Sequence, residues 1–592
     1  MNRTRIYQVI ALTIPFVFFA LLEGGLRFFD YGREVSLFID YPATKQQSQA
    51  PKYLLPRPDV VKRYFPENSA APSVTVETNF FLKHKPDDAL RIVVQGGSTA
   101  AGFPFGYGAS IAGMLDYRLK QSFPDRTVEV INTALAAVNS YTVLDFVDEI
   151  IEQQPDAVLI YAGHNEYLGI LGVGSAYTAA NSSAATLLYL KLKNSRIFQL
   201  LQNSYWQLTK ANKPQDTHLN NKAARTFMSK VAKHKNIPFG SALYDAGLAQ
   251  FDNNISLAIA KYQAAGIPVF ISSIASNLAD QAPFSSANKS SEQLDNKNAD
   301  FYYQKGQKLL AQANHKEAKQ AFIKARDLDL LRFRAPSAMN DIIKQLSEKE
   351  SVYFVDANKA LTEAADNGII GQSLMLEHLH PTINGYFVIA DSFYQALDKS
   401  ALFGKFPRMI STEQAQKEHP VFEAEIYWGK AKTAGLMADY PFTDEPEKPQ
   451  LPQVNNWSDE LGLAAYRSKA TWLTIALENL KRAKGINPQL YVKSAKLLSD
   501  SMPFDAAHSY RAGLALIQDK QFSQAPRYLK RAIEIDSKNI NYQLALSHAY
   551  LEQGKLKNAI PWLESVLILE PENATVNDVL PKVKHHLAKL KK

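Results

Sequence analysis

Three short clusters, far apart in the chain, carry side chains suited to acyl transfer. Ser98 closes Arg91-Ile92-Val93-Val94-Gln95-Gly96-Gly97-Ser98-Thr99, a largely apolar run that stops at two glycines. Asn165 stands in Gly163-His164-Asn165-Glu166 after a second apolar run, and His380 stands in Glu377-His378-Leu379-His380-Pro381. Acyl transfer needs a nucleophile, a base to take its proton, a group to orient the base, and donors for the oxyanion. Ser98 offers the hydroxyl and His380 the imidazole. Glu377, three residues earlier, is near enough in sequence to hold that imidazole in one tautomer. The expected oxyanion donors are the Ser98 backbone N–H, a backbone N–H near Ala137 and the Asn165 side-chain amide.

These groups need a sheet to bring them together. Candidate strands are Arg91–Gln95, Val128–Asn132, Ala157–Ala162, Val269–Ser273 and Val352–Asp356, with helical stretches near Ser110–Ser122, Tyr141–Gln153 and Leu248–Ala264. Alternation of this kind implies a parallel α/β sheet covered on both faces. A serine at a strand-to-helix turn then projects into the crevice at the carboxyl end of the strands. Two long insertions, roughly 168–239 and 281–344, interrupt the alternation.

Other chemistries fit less well. No Gly-Lys-Ser/Thr follows Gly96-Gly97-Ser98, and G-x-G-x-x-G spacing is missing, which disfavours a phosphate cradle. An α/β-hydrolase elbow would place glycine where Ala100 stands. His164, His378 and His380 could hold a metal, but among 12 histidines such spacings arise by chance. His164 and His378 are expected to pack or support, and neither a metal nor a cofactor is expected. Arg332 and Arg334 could meet an anionic substrate, with solvated surface arginine as the plainer reading. Asp356, at a strand end, is a substitute for Glu377 as the acid.

At these positions the chain resembles the SGNH (GDSL-like) hydrolase family, in four ordered blocks across roughly 91–397. Gly96-Gly97-Ser98-Thr99 matches the nucleophile block with Gly97 in place of aspartate. Asn132-Thr133-Ala134-Leu135-Ala136-Ala137 matches the second block with Ala137 in place of glycine. Gly163-His164-Asn165-Glu166 is the third, and Glu377-x-x-His380-Pro381 the last, with glutamate for aspartate. The resemblance implies a flavodoxin-like three-layer sandwich, and ester hydrolysis or O-acyl transfer without a cofactor.

The rest of the chain frames that domain. Residues 1–30 carry Arg3 and Arg5 ahead of an apolar run, Ile6–Leu22, which reads as a retained signal anchor or transmembrane helix. Residues 31–88, rich in proline, read as an extended arm or linker. The hydrolase-like domain then covers 89–400, and a helical region 401–592. Gly513, Ala525, Leu529 and Ala532 recur 34 positions later as Ser547, Ala559, Leu563 and Val566, and Pro571 ends the unit. Gly306, Ala318, Phe322 and Ala325 show the same offsets. Small residues at this period mark tetratricopeptide repeats, about 503–571.

The chain has 592 residues with a formal net charge of +8 and no cysteine. Its basic residues are dispersed, so no nucleic-acid partner is expected. The expectation is a single-pass protein of a bacterial inner membrane, its bulk on the periplasmic side. It would act on an ester in a lipid, glycan or small molecule, with repeats that dock a protein partner or the substrate. The rival is a catalytically inactive scaffold that binds partners through its repeats.

Overall fold

The computed structural model describes residues 3–41, 51–65, 76, 79–176, 182–210, 228, 236–287 and 298–590. Parts of the expected arm and of both expected insertions lie outside these residues.

Helix α1 (Arg3–Phe28) opens the chain and contains Pro15. Among the described residues no helix is long and apolar enough to cross a membrane, so the spanning helix expected over 1–30 is not shown. Glu23 has a structural task. Its carboxylate accepts the Arg196 and Ile197 N–H groups at 2.9 Å each, capping the helix Arg196–Lys210. A carboxylate there satisfies orphan donors and complements the helix dipole. Phe16, Val17, Phe18, Phe19 and Leu21 stay exposed.

The arm is more than an extended connection. It forms a three-stranded antiparallel sheet from β1 (Phe38–Asp40), β2 (Tyr53–Pro56) and β3 (Phe81–Leu82). This small sheet borders the edge of the main one. The Leu82 N–H donates to Glu129 Oε1 at 2.6 Å, while Asn79 Nδ2 donates to the Val130 carbonyl at 3.1 Å. An open sheet edge is a template for unwanted pairing, and here side chains cover it.

The main sheet is built from β4 (Leu90–Gly96), β5 (Val128–Asn132), β6 (Ala157–Tyr161), β7 (Val269–Ser272) and β8 (Val352–Val355). Their order is β5-β4-β6-β7-β8, all parallel. This is the flavodoxin-like order, with its switch point between β4 and β6. The first four strands are buried at every residue, which is why they read as apolar runs rather than alternating ones. Helix α2 (Ser98–Ala101) starts at the end of β4, and α3 (Ile111–Ser122) follows. Helix α4 (Ser140–Asp145) and the helix Ala242–Ala264 share one face of the sheet, where Gln95 joins them. Gln95 Nε2 donates to the Val143 carbonyl at 3.0 Å, and Gln95 Oε1 accepts the Tyr262 hydroxyl at 2.8 Å. The opposite face carries α3 and the helix Ile383–Ser400.

The C-terminal region is wholly helical among the described residues from 412 to 589, apart from its connections. The helices Ala506–Gln518 and Ala525–Ile535 pair, as do Ile540–Glu552 and Leu556–Leu569. A side chain at Gly513 would come within 2.4 Å of Leu529, and one at Gly306 within 2.7 Å of the Phe322 ring. In both pairs the small residue lies against the residue 16 positions later, so the shared spacing reports helices crossing at close range.

Candidate active site

The turn that presents Ser98 depends on two glycines. A side chain at Gly96 would meet the Tyr161 carbonyl oxygen at 2.1 Å, and one at Gly97 would meet Asn165 Nδ2 at 3.1 Å. Gly97 caps α2 and Ser98 is its first residue, so the Ser98 N–H points out of the helix without an intrahelical acceptor. The hydroxyl of Ser98 lies 2.7 Å from His380 Nε2.

His380 sits on the loop before the helix Ile383–Ser400. Met375 and Pro381 bridge the base of this loop, and Leu376 N–H donates to the His380 carbonyl at 2.8 Å. The imidazole packs on Phe103, ring centroids 4.6 Å apart. Its other nitrogen, Nδ1, donates to Glu377 Oε1, which also accepts the His380 backbone N–H at 3.0 Å. A carboxylate accepts only, so Nδ1 carries the proton and Nε2 is free to accept from Ser98. Burial pushes the His380 pKa down, to about 3. The ring is therefore neutral at pH 7, the state a general base requires.

Ala137 and Asn165, the other expected oxyanion donors, lie on two further loops. Ala137 adopts φ +64°, a left-handed conformation that costs an alanine roughly 1–2 kcal/mol. It is held there because its carbonyl accepts the Ile170 N–H at 2.8 Å and Val138 bridges to Ile170. Ala137 thus keeps the backbone shape of the glycine it replaces. Asn165 lies on the other loop, its amide against the Cα of Gly97. Ser98, Asn165, Gly97, Thr99, Val138 and Asn139 line one small cavity of about 20 Å³.

Glu166 ties the two loops together. Its carboxylate accepts the Ser140 N–H at 3.1 Å, the Ser140 hydroxyl at 2.7 Å and the Gln250 side-chain amide. Asn254 Nδ2 donates to the Ser140 hydroxyl at 2.9 Å. Burial pushes the Glu166 pKa up to about 7 against the pull of these donors.

Not every residue singled out from sequence joins the site. Asp356, the substitute acid, caps the helix Ala357–Ala364, accepting the Lys359 N–H at 3.1 Å and the Ser273 hydroxyl at 2.8 Å. Arg334 is buried on the Asp329 carboxylate at 3.2 Å and the Asn277 carbonyl at 2.9 Å. Arg332 is buried over the Tyr244 ring, 4.6 Å from its centroid. Both arginines are internal braces, neither solvated nor open to an anion. His164 bridges two backbone groups, Nε2 to the Ala275 carbonyl at 3.1 Å and Nδ1 from the Ala335 N–H at 3.2 Å.

Asn139 escaped the sequence reading. It is 4% exposed and lines the small cavity; its Oδ1 accepts the Tyr141 N–H at 3.1 Å, and its Nδ2 has no partner among the described residues. Its only sequence signal is its place two residues after Ala137.

Residues 516–580 match the tetratricopeptide repeat family. No curated protein matches the chain. Among solved structures, a putative GDSL-like lipase from Parabacteroides merdae is 12% identical, covering 53% of this chain and 97% of that one, with a TM-score of 0.28. A catalytic mutant of Axe2, an acetylxylan esterase from Geobacillus stearothermophilus, is 12% identical, covering 55% and 100%, with a TM-score of 0.28. The Arabidopsis OM64 tetratricopeptide repeat domain is 24% identical, covering 19% and 93%, with a TM-score of 0.18.

Proposed function

For a chain that joins an SGNH-like α/β domain to tetratricopeptide repeats, we propose a serine hydrolase acting on ester bonds, as esterase or O-acyltransferase. The observation that carries this reading is the continuous chain from Ser98 Oγ to His380 Nε2 at 2.7 Å and from His380 Nδ1 to Glu377. Ser98 attacks the ester carbonyl while its proton passes to His380 Nε2. Charge builds on the carbonyl oxygen, facing the Ser98 and Ala137 N–H groups and the Asn165 amide. When the tetrahedral adduct collapses, His380 gives its proton to the leaving alkoxide and an acyl-Ser98 ester remains. Water or an acceptor hydroxyl then gives up its proton to His380 and attacks that ester, which frees Ser98. Glu377 stabilises the imidazolium formed in each half. The choice of acceptor separates hydrolase from transferase.

In this reading the repeats bring a protein partner or the ester-bearing polymer to the domain. The exposed aromatic stretch of α1 holds the chain at the periplasmic face of a bacterial inner membrane. A pure docking scaffold would leave the Ser98–His380–Glu377 chain without a use.

A fluorophosphonate probe should label the intact protein and fail on Ser98→Ala. p-Nitrophenyl esters of graded chain length would then define the acyl preference. A wild-type protein that neither labels nor hydrolyses any of them would leave the scaffold as the surviving account.

A further inference from the structure

Glu377 serves two imidazoles, and acyl transfer uses only one. Oε1 takes the His380 Nδ1–H and backbone N–H, while Oε2 takes the His378 Nδ1–H and the Leu379 N–H at 3.3 Å. An ionised carboxylate has about four acceptor sites, and all four are filled at a residue only 3% exposed. Without His378, Oε2 would keep a single long bond.

We propose that His378 is a positioning residue of the acyl-transfer site, fixing the carboxylate of Glu377 so that its other oxygen serves His380. This inference rests on the proposed function and extends it. Glutamate has one more rotatable bond than the aspartate expected by resemblance, so its carboxylate needs a second hold to stay on the His380 ring. His378 provides that hold, and its own orientation is fixed from three directions. Its ring meets Phe284 at 5.4 Å, Phe333 at 6.0 Å and Phe442 at 5.4 Å, each edge to face. Its carbonyl accepts the Asn277 N–H at 2.9 Å. The types Glu377, His378 and His380 could also hold a metal ion. However, each Nδ1 is bonded directly to a Glu377 oxygen, so the three face one another and not a common centre.

His378 acts as a neutral donor. Burial holds its pKa well below the usual imidazole range, reinforced by His380, Arg334 and His164, the charged and titratable groups that face it besides Glu377. Its role is thus geometric across the working range of pH, and no proton needs to leave it during turnover.

The test compares His378→Phe, which keeps the ring packing but removes the donor, with His378→Asn, whose amide reaches the position of Nδ1. Active sites of the full-length proteins are first counted with the fluorophosphonate, so misfolded protein does not enter the rate. With p-nitrophenyl acetate, kcat of His378→Phe should fall about ten- to a hundredfold with KM little changed, as for other residues supporting a reactive ligand. The acid limb of its pH–rate profile should move, and His378→Asn should recover much of kcat. Equal kcat in wild type and His378→Phe, or no recovery by asparagine, overturns the inference. The low-field Nδ1 proton resonance of His380 gives a reading that needs no turnover. It should shift or broaden in His378→Phe and return in His378→Asn, and an unmoved resonance overturns the inference. Should wild type prove inactive, the proposed reaction fails while this resonance still decides whether His378 holds Glu377.

Discussion

At the scale of single residues, the site combines an exposed-facing hydroxyl with a base kept neutral by burial. Asn165 offers the sharpest separation of chemistry from folding, because in the proposed reaction its amide, set against Gly97, would face the developing negative charge. Asn165→Ala should lower kcat about a hundred- to a thousandfold, with an unchanged unfolding midpoint in urea. Burial also makes the fold acid-sensitive. His164 and His380 have folded pKa values pushed to about 3, and His378 also lies below its ordinary value. Between about pH 6.5, the unfolded value, and pH 3 the unfolded chain binds more protons than the folded one. Stability therefore drops as pH falls through that window. Glu166, raised to about 7, acts in the opposite sense between roughly 4.5 and 7. His419 and His508 are also lowered, and Asp116, Asp329 and Glu534 are raised like Glu166; with five histidines against four carboxyls, urea midpoints measured from pH 7.5 to 4.5 should decline. A midpoint that rises toward pH 4.5 would contradict the neutral buried state of these rings.

At the scale of elements, Gly97 and Ala137 each have a local reason. Gly97 lets the Asn165 amide rest on the backbone beside the nucleophile. Adding a side chain with Gly97→Asp should therefore push Asn165 away and slow fluorophosphonate labelling at least tenfold, although the sequence resemblance would put aspartate there. Ala137 is left-handed, and Gly fits that shape without strain. Ala137→Gly should leave labelling intact and change stability by no more than about 1 kcal/mol, since relief of strain is offset by added freedom in the unfolded chain. The same geometry makes the repeat contacts intolerant. Gly513→Val would drive a branched side chain into Leu529 and should cost about 1–3 kcal/mol, read as an earlier unfolding transition of the helical region.

At the scale of the whole molecule, the helical region is docked against the α/β domain by buried charge. Arg527 donates to the Phe123 and Arg126 carbonyls at 2.7 Å each. Lys120 reaches Asp500 at 3.2 Å, and Arg531 reaches the same carboxylate at 3.1 Å. Burial raises the Asp500 pKa, yet Lys120, Arg531 and Arg527 together hold it down to about 2. The arm joins this interface, with Tyr41 stacked on Phe504 at 4.4 Å. A cavity of about 780 Å³ lies between arm, α3 and repeat helices. Arg527→Ala removes both bonds, leaving the Phe123 carbonyl only the Arg126 N–H at 3.3 Å, and should cost about 1–3 kcal/mol, seen as two separated thermal transitions where wild type shows one. The reach of the helical region extends to the loop that carries His380, because Phe442 touches His378.

The chain's own order of residues was enough to place the five parallel strands and the Ser98, Asn165 and His380 clusters, because apolar runs and glycine turns are local signals. The 34-residue period was equally local. What only packing decided is which side chains meet. Nothing in the spacing of Glu377, His378 and Asp356 tells which carboxylate faces the imidazole. That followed from a helix cap engaging Asp356 and a ring donating to Glu377. Arg332 and Arg334 read as surface residues because burial of a charge depends on partners distant in sequence, here the Tyr167 and Tyr244 rings for Arg332 and the Asn277 carbonyl for Arg334. The arm's strands stayed hidden for the same reason, being two to four residues long and paired across gaps of many positions. Local pattern fixes an element's type, whereas the partner of a polar group is a property of the assembled fold.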